Sequence, residues 1–259
     1  EPPLQPAPAA RLTEAAEVLL EGHPNSQLFL TCEHASNRVP APLAATPADE
    51  PWLETHWAWD IGAAQVTRAL ARATGSPAVL SRFSRLVCDP NRLPTDHTWI
   101  REQVEGHAVG FNRGLGSAER RRRLVAYHHA FHQTLGDAIA ERMLEERPPW
   151  LLSIHSFTGV YEGERRGMDV GVLFDDYVTP AVEFARRLRG QGLETALNEP
   201  YSGLRGLIYS ANRHGRCFGL PYLELEIRND LIDTEAGVTQ LTDALLAALA
   251  GFQVEPHWT

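Results

Sequence analysis

Five short apolar runs, each bounded by Gly, Pro, Ser or Asn and separated by helix-like stretches, constrain this chain more than any other feature. Q-L-F-L-T at 27–31, S-P-A-V-L-S at 76–81, P-W-L-L-S-I-H-S-F at 149–157, D-V-G-V-L-F-D at 169–175 and P-Y-L-E-L-E-I-R at 221–228 have the length and composition of strands. Between them, residues 58–74, 118–146, 179–190 and 235–251 read as helices. Strands interleaved with helices bury both faces of their sheet. The pattern therefore predicts an α/β fold: a single domain with a mixed, mostly parallel central sheet flanked by helices. A chain of 259 residues is long enough for one sizeable core. The first ten residues hold four prolines and cannot build a helix. Residues 1–22 accordingly read as an N-terminal arm and short helix, and 23–259 as the α/β domain.

Composition narrows the function classes. With 43% hydrophobic and 22% charged residues, the chain is an ordinary globular protein and not a disordered one. A net charge of −9 argues against nucleic-acid or anionic-membrane partners, and no apolar run approaches the roughly 18 residues of a membrane span. A small anionic substrate stays compatible, because a local arginine cluster can hold it inside an acidic protein. Cys32, Cys88 and Cys217 are odd in number and lack C-x-x-C spacing, so neither a disulfide framework nor a structural zinc knot is expected. The N-terminus lacks the regions of a signal peptide. A reducing, cytoplasmic setting is the expectation.

In sheets of this kind ligands bind beyond the carboxyl ends of the strands, and here those ends carry chemistry. The first strand runs into Cys32-Glu33-His34, the second is followed by Arg82, Arg85, Asp89, Asn91 and Arg92, and the third contains His155. Alternation in the last places Glu224, Glu226 and Arg228 on one face and Leu223, Leu225 and Ile227 on the other, with one of the two glutamates expected on a solvated face. The irregular stretch 90–117 reads as a long functional loop. Two histidines, a glutamate and several arginines fit metal-assisted hydrolysis. Three protein ligands hold the metal, a carboxylate moves the proton, and guanidinium forks bind substrate carboxylates. The same arginines, Arg85 and Arg92, would also suit a metal-free protein that binds acidic amino acids. His128, His129 and His132 lack an H-E-x-x-H pattern and read as helix packing, and the arginines of E-R-R-R-R read as a solvated face.

Seven pieces, T-C-E-H-A-S-N-R-V-P, H-W-A-W-D-I-G-A, S-R-L-V-C-D-P-N-R, V-G-F-N, Y-H-H-A-F-H, I-H-S-F-T and E-I-R-N-D-L-I, run in order from about residue 28 to 232. Together they resemble the N-formylglutamate amidohydrolase family, whose fold and zinc chemistry are similar to those of zinc carboxypeptidases and aspartoacylase. The resemblance implies a Zn²⁺-dependent amidohydrolase acting on a small N-acyl amino acid, with a carboxypeptidase-like peptidase as the alternative. It implies that His34 and His155 are zinc ligands and Glu226 is the general base, with Glu224 the alternative. Carboxypeptidase relatives place a glutamate three residues after the first histidine, where this chain has Asn37, so the third ligand comes from elsewhere. Asp60 is the choice and Glu33 the second. Arg85, Asn91 and Arg92 match the family's carboxylate-binding group, with Asp89 orienting an arginine, and His132 and His214 also fall at substrate-side positions. Pro90, inside the D-x-N-R element, and Gly159, after H-S-F-T, depart from the family pattern.

Overall fold

The computed structural model describes residues 10–19, 26–145 and 147–254. Eight strands, β1 (Ala10–Leu12), β2 (Ala16–Leu19), β3 (Leu28–Cys32), β4 (Ala78–Ser81), β5 (Trp150–Phe157), β6 (Val170–Leu173), β7 (Thr195–Leu197) and β8 (Tyr222–Arg228), form one sheet. Their order is β1-β2-β4-β3-β5-β8-β6-β7. The central four, β4, β3, β5 and β8, are parallel. β2 joins β4, and β6 joins β8, in antiparallel fashion. All five expected strands are present and the sheet is mixed and mostly parallel, as predicted. The short helix expected within residues 1–22 is not found in the described part of that stretch: β1 and β2 pair there instead. Ala16 and Val18 are buried on either side of half-buried Glu17, a period of two that suits a strand. The proline-rich residues 1–9 lie outside the described residues.

Among the described residues the longer helices are α1 (Ala63–Thr74), α2 (Ser117–Arg123), α3 (Ala130–Arg142), α4 (Val178–Gly190), α5 (Tyr209–Phe218) and α6 (Glu235–Leu249). α1, α4 and α6 pack together on one face, α3 and α5 on the other. The helix expected over 58–74 begins only at Ala63. Gly62, at φ 80°, adopts a left-handed conformation, and a Cβ there would meet the Ile232 carbonyl at 2.3 Å. The stretch expected as one helix over 118–146 is α2 and α3 joined by a π-helical turn, Leu124–His129, and it stops at Arg142. α5 grows from a polar segment outside the expected helices. Gly215 lets it seat against Tyr222, whose ring would lie 2.0 Å from an added Cβ. Among the described residues no helix is long and apolar enough to cross a membrane.

The winding reverses next to β3, which has β4 on one side and β5 on the other. Open α/β sheets bind ligands at such a reversal. His34 follows β3 by two residues and His155 lies near the end of β5, so both arrive there. Register then adds the glutamates. Thr31 pairs with Ser153, Ser153 with Glu224, and His155 with Glu226, so these residues share one face.

Candidate active site

One donor atom from each of His34, Asp60 and His155 lies within 4.8 Å of the others, and all three residues are buried. His34 Nδ1 and His155 Nδ1 are 3.1 Å apart, and Asp60 Oδ2 is 3.2 Å from the first and 2.8 Å from the second. The far nitrogens decide what these contacts mean. His34 Nε2 donates to Asp89 Oδ1 at 2.7 Å, and His155 Nε2 donates to Glu33 Oε2 at 3.0 Å. A carboxylate only accepts, so each Nε2 carries its hydrogen, and in the neutral ring Nδ1 is left with a lone pair. With both rings neutral, two lone pairs face the Asp60 carboxylate, which also accepts from Ser156 N, and a proton on an Nδ1 or a bound cation satisfies the set. Such a set suits a cation, and carboxylates behind ligating histidines are the usual support of a zinc site.

The electrostatics agree with this inventory. Burial would raise the carboxyl of Asp60, yet the His34 and His155 imidazoles outweigh it and hold Asp60 well below the usual range. Asp89 is likewise held down against burial, by Arg85 and His34, and Glu33 is lowered to about 2 by His155 and Ser153. Burial would depress His155, but Glu224 and the hydrogen bonds to Asp60 and Glu33 push it well above the ordinary imidazole value. The cluster attracts positive charge, be it a proton or a metal ion.

Glu226 and Glu224 are both buried, which corrects the expectation of a solvated face for one of them. Burial pushes Glu226 well above the ordinary carboxyl range, with Asp60 and Glu224 adding to it, and its Oε2 has no hydrogen-bond partner among the described residues. Glu224 is pushed up to about 7, burial again the largest cause, while its Oε2 accepts from Asn91 Nδ2 at 3.3 Å. Both line a cavity of about 360 Å³ together with His34, Asp60 and His155.

Four arginines, Arg85, Arg92, Arg101 and Arg166, line the same cavity. Arg85 is tied to Asp89 at 2.6 Å and more loosely to Asp60. Among the described residues no ion pair engages the other three. Arg101 lies over the Trp57 ring at 5.3 Å, and Arg166 over Phe157, Tyr161 and Tyr201 at 4.9 to 5.6 Å. Burial and then the neighbouring Arg85 disfavour the charge on Arg101. A concentration of unpaired guanidinium in an acidic protein favours an anion in the cavity.

The structure thus brings His34, Asp60, His155, Glu226, Arg85, Asn91 and Arg92 to one cavity. Asn91 is less free than a substrate-binding side chain would be: Nδ2 donates to Glu224 and Oδ1 accepts from Ser210 N at 2.8 Å. His132 and His214, expected on the substrate side, are absent from the cavity lining. They stack behind the Asp89–Arg92 loop, buried, because α3 and α5 meet there. Glu33, the second choice as ligand, is wholly buried and supports His155 instead. Asn37 bonds Glu54 near the surface, away from the cluster. Asp60 does not cap α1: its side chain turns to the histidines and Ser156 N. Arg101 and Arg166 carry no distinguishing signal in the sequence, since their loops reach the cavity only through tertiary packing.

A family model described as N-formylglutamate amidohydrolase matches residues 26–233. Among solved structures, gene product Atu2144 from Agrobacterium tumefaciens is 32% identical, with a TM-score of 0.82 over 92% of this chain and 95% of that one. N-formylglutamate amidohydrolase from Ralstonia eutropha JMP134 shares the fold at 20% identity, with a TM-score of 0.71 over 92% of this chain and 97% of that one. Comparison with curated proteins finds no match.

Proposed function

The chain belongs to the N-formylglutamate amidohydrolase family, and from that premise we propose that it is a zinc-dependent amidohydrolase. Its substrate is a small acidic amino acid carrying an N-acyl group, N-formyl foremost. One observation carries the reading: His34 Nδ1, His155 Nδ1 and Asp60 Oδ2 converge in an arginine-lined cavity beside a Glu226 oxygen that has no partner among the described residues. A zinc ion held by His34, Asp60 and His155 would supply Lewis acidity, lowering the pKa of water and polarising the amide carbonyl.

The chain's own residues do the rest. Glu226, with a free oxygen and a raised proton affinity, takes the proton of the attacking water and delivers it to the leaving nitrogen. Glu224 is the weaker candidate for base, since Asn91 already engages it. Asp89 and Glu33 keep both imidazoles with Nδ1 turned inward. Arg92, Arg101 and Arg166 receive the substrate's carboxylates, and Arg85, its charge shared with Asp89 and Asp60, completes the anion site. The cavity volume suits an amino-acid derivative more than a polypeptide.

Hydrolysis of N-formyl-, N-acetyl- and longer N-acyl-L-glutamate, compared with N-acyl-leucine, tests the reading with and without chelator. Turnover of an acidic substrate, lost on chelation and restored by Zn²⁺, is expected. Turnover that resists complete metal removal would overturn the zinc role. Zinc-loaded protein that hydrolyses none of these amides would overturn the amidohydrolase role.

A further inference from the structure

Segment 87–92 supplies Asp89 to His34, Asn91 to Glu224 and Arg92 to the cavity, so its placement governs the whole site. Three of its carbonyls, those of Val87, Pro90 and Arg92, meet one helical rod. Arg123, at the end of α2, donates to Val87 O at 2.9 Å; His132 Nε2 in α3 donates to Pro90 O at 2.9 Å; His128 Nε2 donates to Arg92 O at 3.0 Å. Arg123 also donates to Asn112 Oδ1 at 2.5 Å, and Asn112 Nδ2 donates in turn to Leu86 O and Arg101 O. One rod therefore fastens the two loops that bring Arg85, Arg92 and Arg101 to the cavity, while Arg166 arrives on a third segment.

The π-helical turn makes this possible. In an α-helix of 3.6 residues per turn, residues five apart point about 140° away from each other. With i→i+5 bonding five residues complete a little more than one turn, so Arg123 and His128, five apart across the turn Leu124–His129, come to the same side. Arg123 is consequently buried, against the expectation of a solvated arginine run, while His128 and His132, four apart, share the same side.

The imidazoles also form an ordered chain. Carbonyl acceptors require hydrogen on Nε2 of His128 and His132, so Nδ1 of neutral His132 accepts, and His214 Nε2 donates to it at 2.9 Å. Burial keeps these rings uncharged, lowering His128 and His214 to about 4 and His132 well below the ordinary value.

We propose that Arg123, His128 and His132, with His214 behind them, are positioning residues for the substrate anion site: they hold Asn91, Arg92 and Arg101 in place without touching substrate. The inference rests on the proposed function for what the site binds. The hydrogen-bond chain itself is independent of it.

The test uses the zinc-loaded protein and the variants His128→Ala, His132→Ala, His128→Gln and His132→Gln. KM for N-formylglutamate and the dissociation constant of L-glutamate measured by calorimetry are expected to rise about tenfold in each alanine variant, the equivalent of one lost buried hydrogen bond. Zinc content stays unchanged, kcat falls less than KM rises, and the glutamine variants recover most of the loss. A lower Tm with unchanged KM and glutamate affinity would assign these residues to stability alone and overturn the proposal. Should the alanine variants fail to fold, the glutamine variants and the wild-type imidazole ¹⁵N spectrum decide. Neutral Nε2–H tautomers at His128, His132 and His214 at pH 7 are expected, and an Nδ1–H tautomer at His132 would overturn the chain. If wild-type protein neither hydrolyses N-acyl-glutamates nor binds glutamate, the functional reading fails, and the spectrum still decides whether the rod holds the loop as described.

Discussion

Two buried histidine clusters lie on either side of the Asp89–Arg92 loop, and each contains an imidazole N···N contact of about the same length. In front, His34 Nδ1 meets His155 Nδ1 at 3.1 Å; behind, His132 Nδ1 meets His214 Nε2 at 2.9 Å. The chemistry is opposite. In front, both far nitrogens donate to carboxylates and both near nitrogens face one more, so the cluster gathers positive charge, a proton or a metal ion. Behind, His214 presents the nitrogen that donates, so the contact is a satisfied hydrogen bond and the cluster is neutral. Proximity of histidines does not identify a metal site. The inventory of donors and acceptors does.

The largest expected effect is at the front cluster's base. Glu226→Gln should retain zinc while kcat falls by about 10² to 10⁴, measured by turnover of the best N-acyl substrate together with metal analysis. Near-normal turnover would transfer the role to Glu224. Next come the carboxylates that orient the ligands. Glu33→Gln should weaken zinc binding by about 10- to 100-fold, whereas His214→Gln, in the back cluster, should leave zinc affinity unchanged in a competition titration. Equal losses would erase the contrast between the clusters.

The back cluster should appear in the acid stability of the protein. His128 faces the Arg92 carbonyl, Arg213, His129 and Asp89, and its folded value of about 4 lies below the ordinary 6.5. The unfolded chain therefore takes up the proton first. Stability is full above about pH 6.5, falls as pH drops towards 4, and levels off below. At pH 5 this group's contribution to the loss is on the order of 2 kcal/mol. His128→Gln keeps a donor but cannot titrate, so its urea midpoint should fall less between pH 7 and pH 5 than that of the wild type; parallel curves would refute the assignment. The smallest effect concerns the anion site between the clusters' loops. Arg166→Ala should raise KM for an N-acyl-glutamate by about tenfold, with little change in kcat. An equal rise for N-acyl-leucine, which lacks only the side-chain carboxylate, would show that Arg166 does not read that group.

Much of the front cluster was legible before the fold. His34 and His155 stand at the ends of apolar runs, and the winding rule for open sheets turns strand ends into a site. Asp60 became a candidate through family resemblance alone. An Asp just before a helix commonly caps it, but here Gly62 takes the cap position and Asp60 turns to the histidines. The back cluster was misread because spacing places His132 and His214 near the loop without saying on which side. Pro90, which looked like an interruption, supplies the carbonyl that His132 holds. Arg123 was hidden in a run of four arginines, since a one-residue widening of the helix has no signature in polarity.

By itself the sequence determined that His34, His155 and the Glu224–Glu226 pair stand on or just after strands of the sheet, because strand period and turn punctuation are properties of neighbours along the chain. It likewise determined the α/β class, since alternating periods leave few ways to bury both kinds of element. Tertiary structure alone decided which nitrogen of each histidine faces which partner, which glutamate keeps a free oxygen, and which arginines lack a counter-charge. Those outcomes depend on strand register, on the π-helical turn and on loops folded over the sheet, where contacts join residues tens to more than a hundred positions apart.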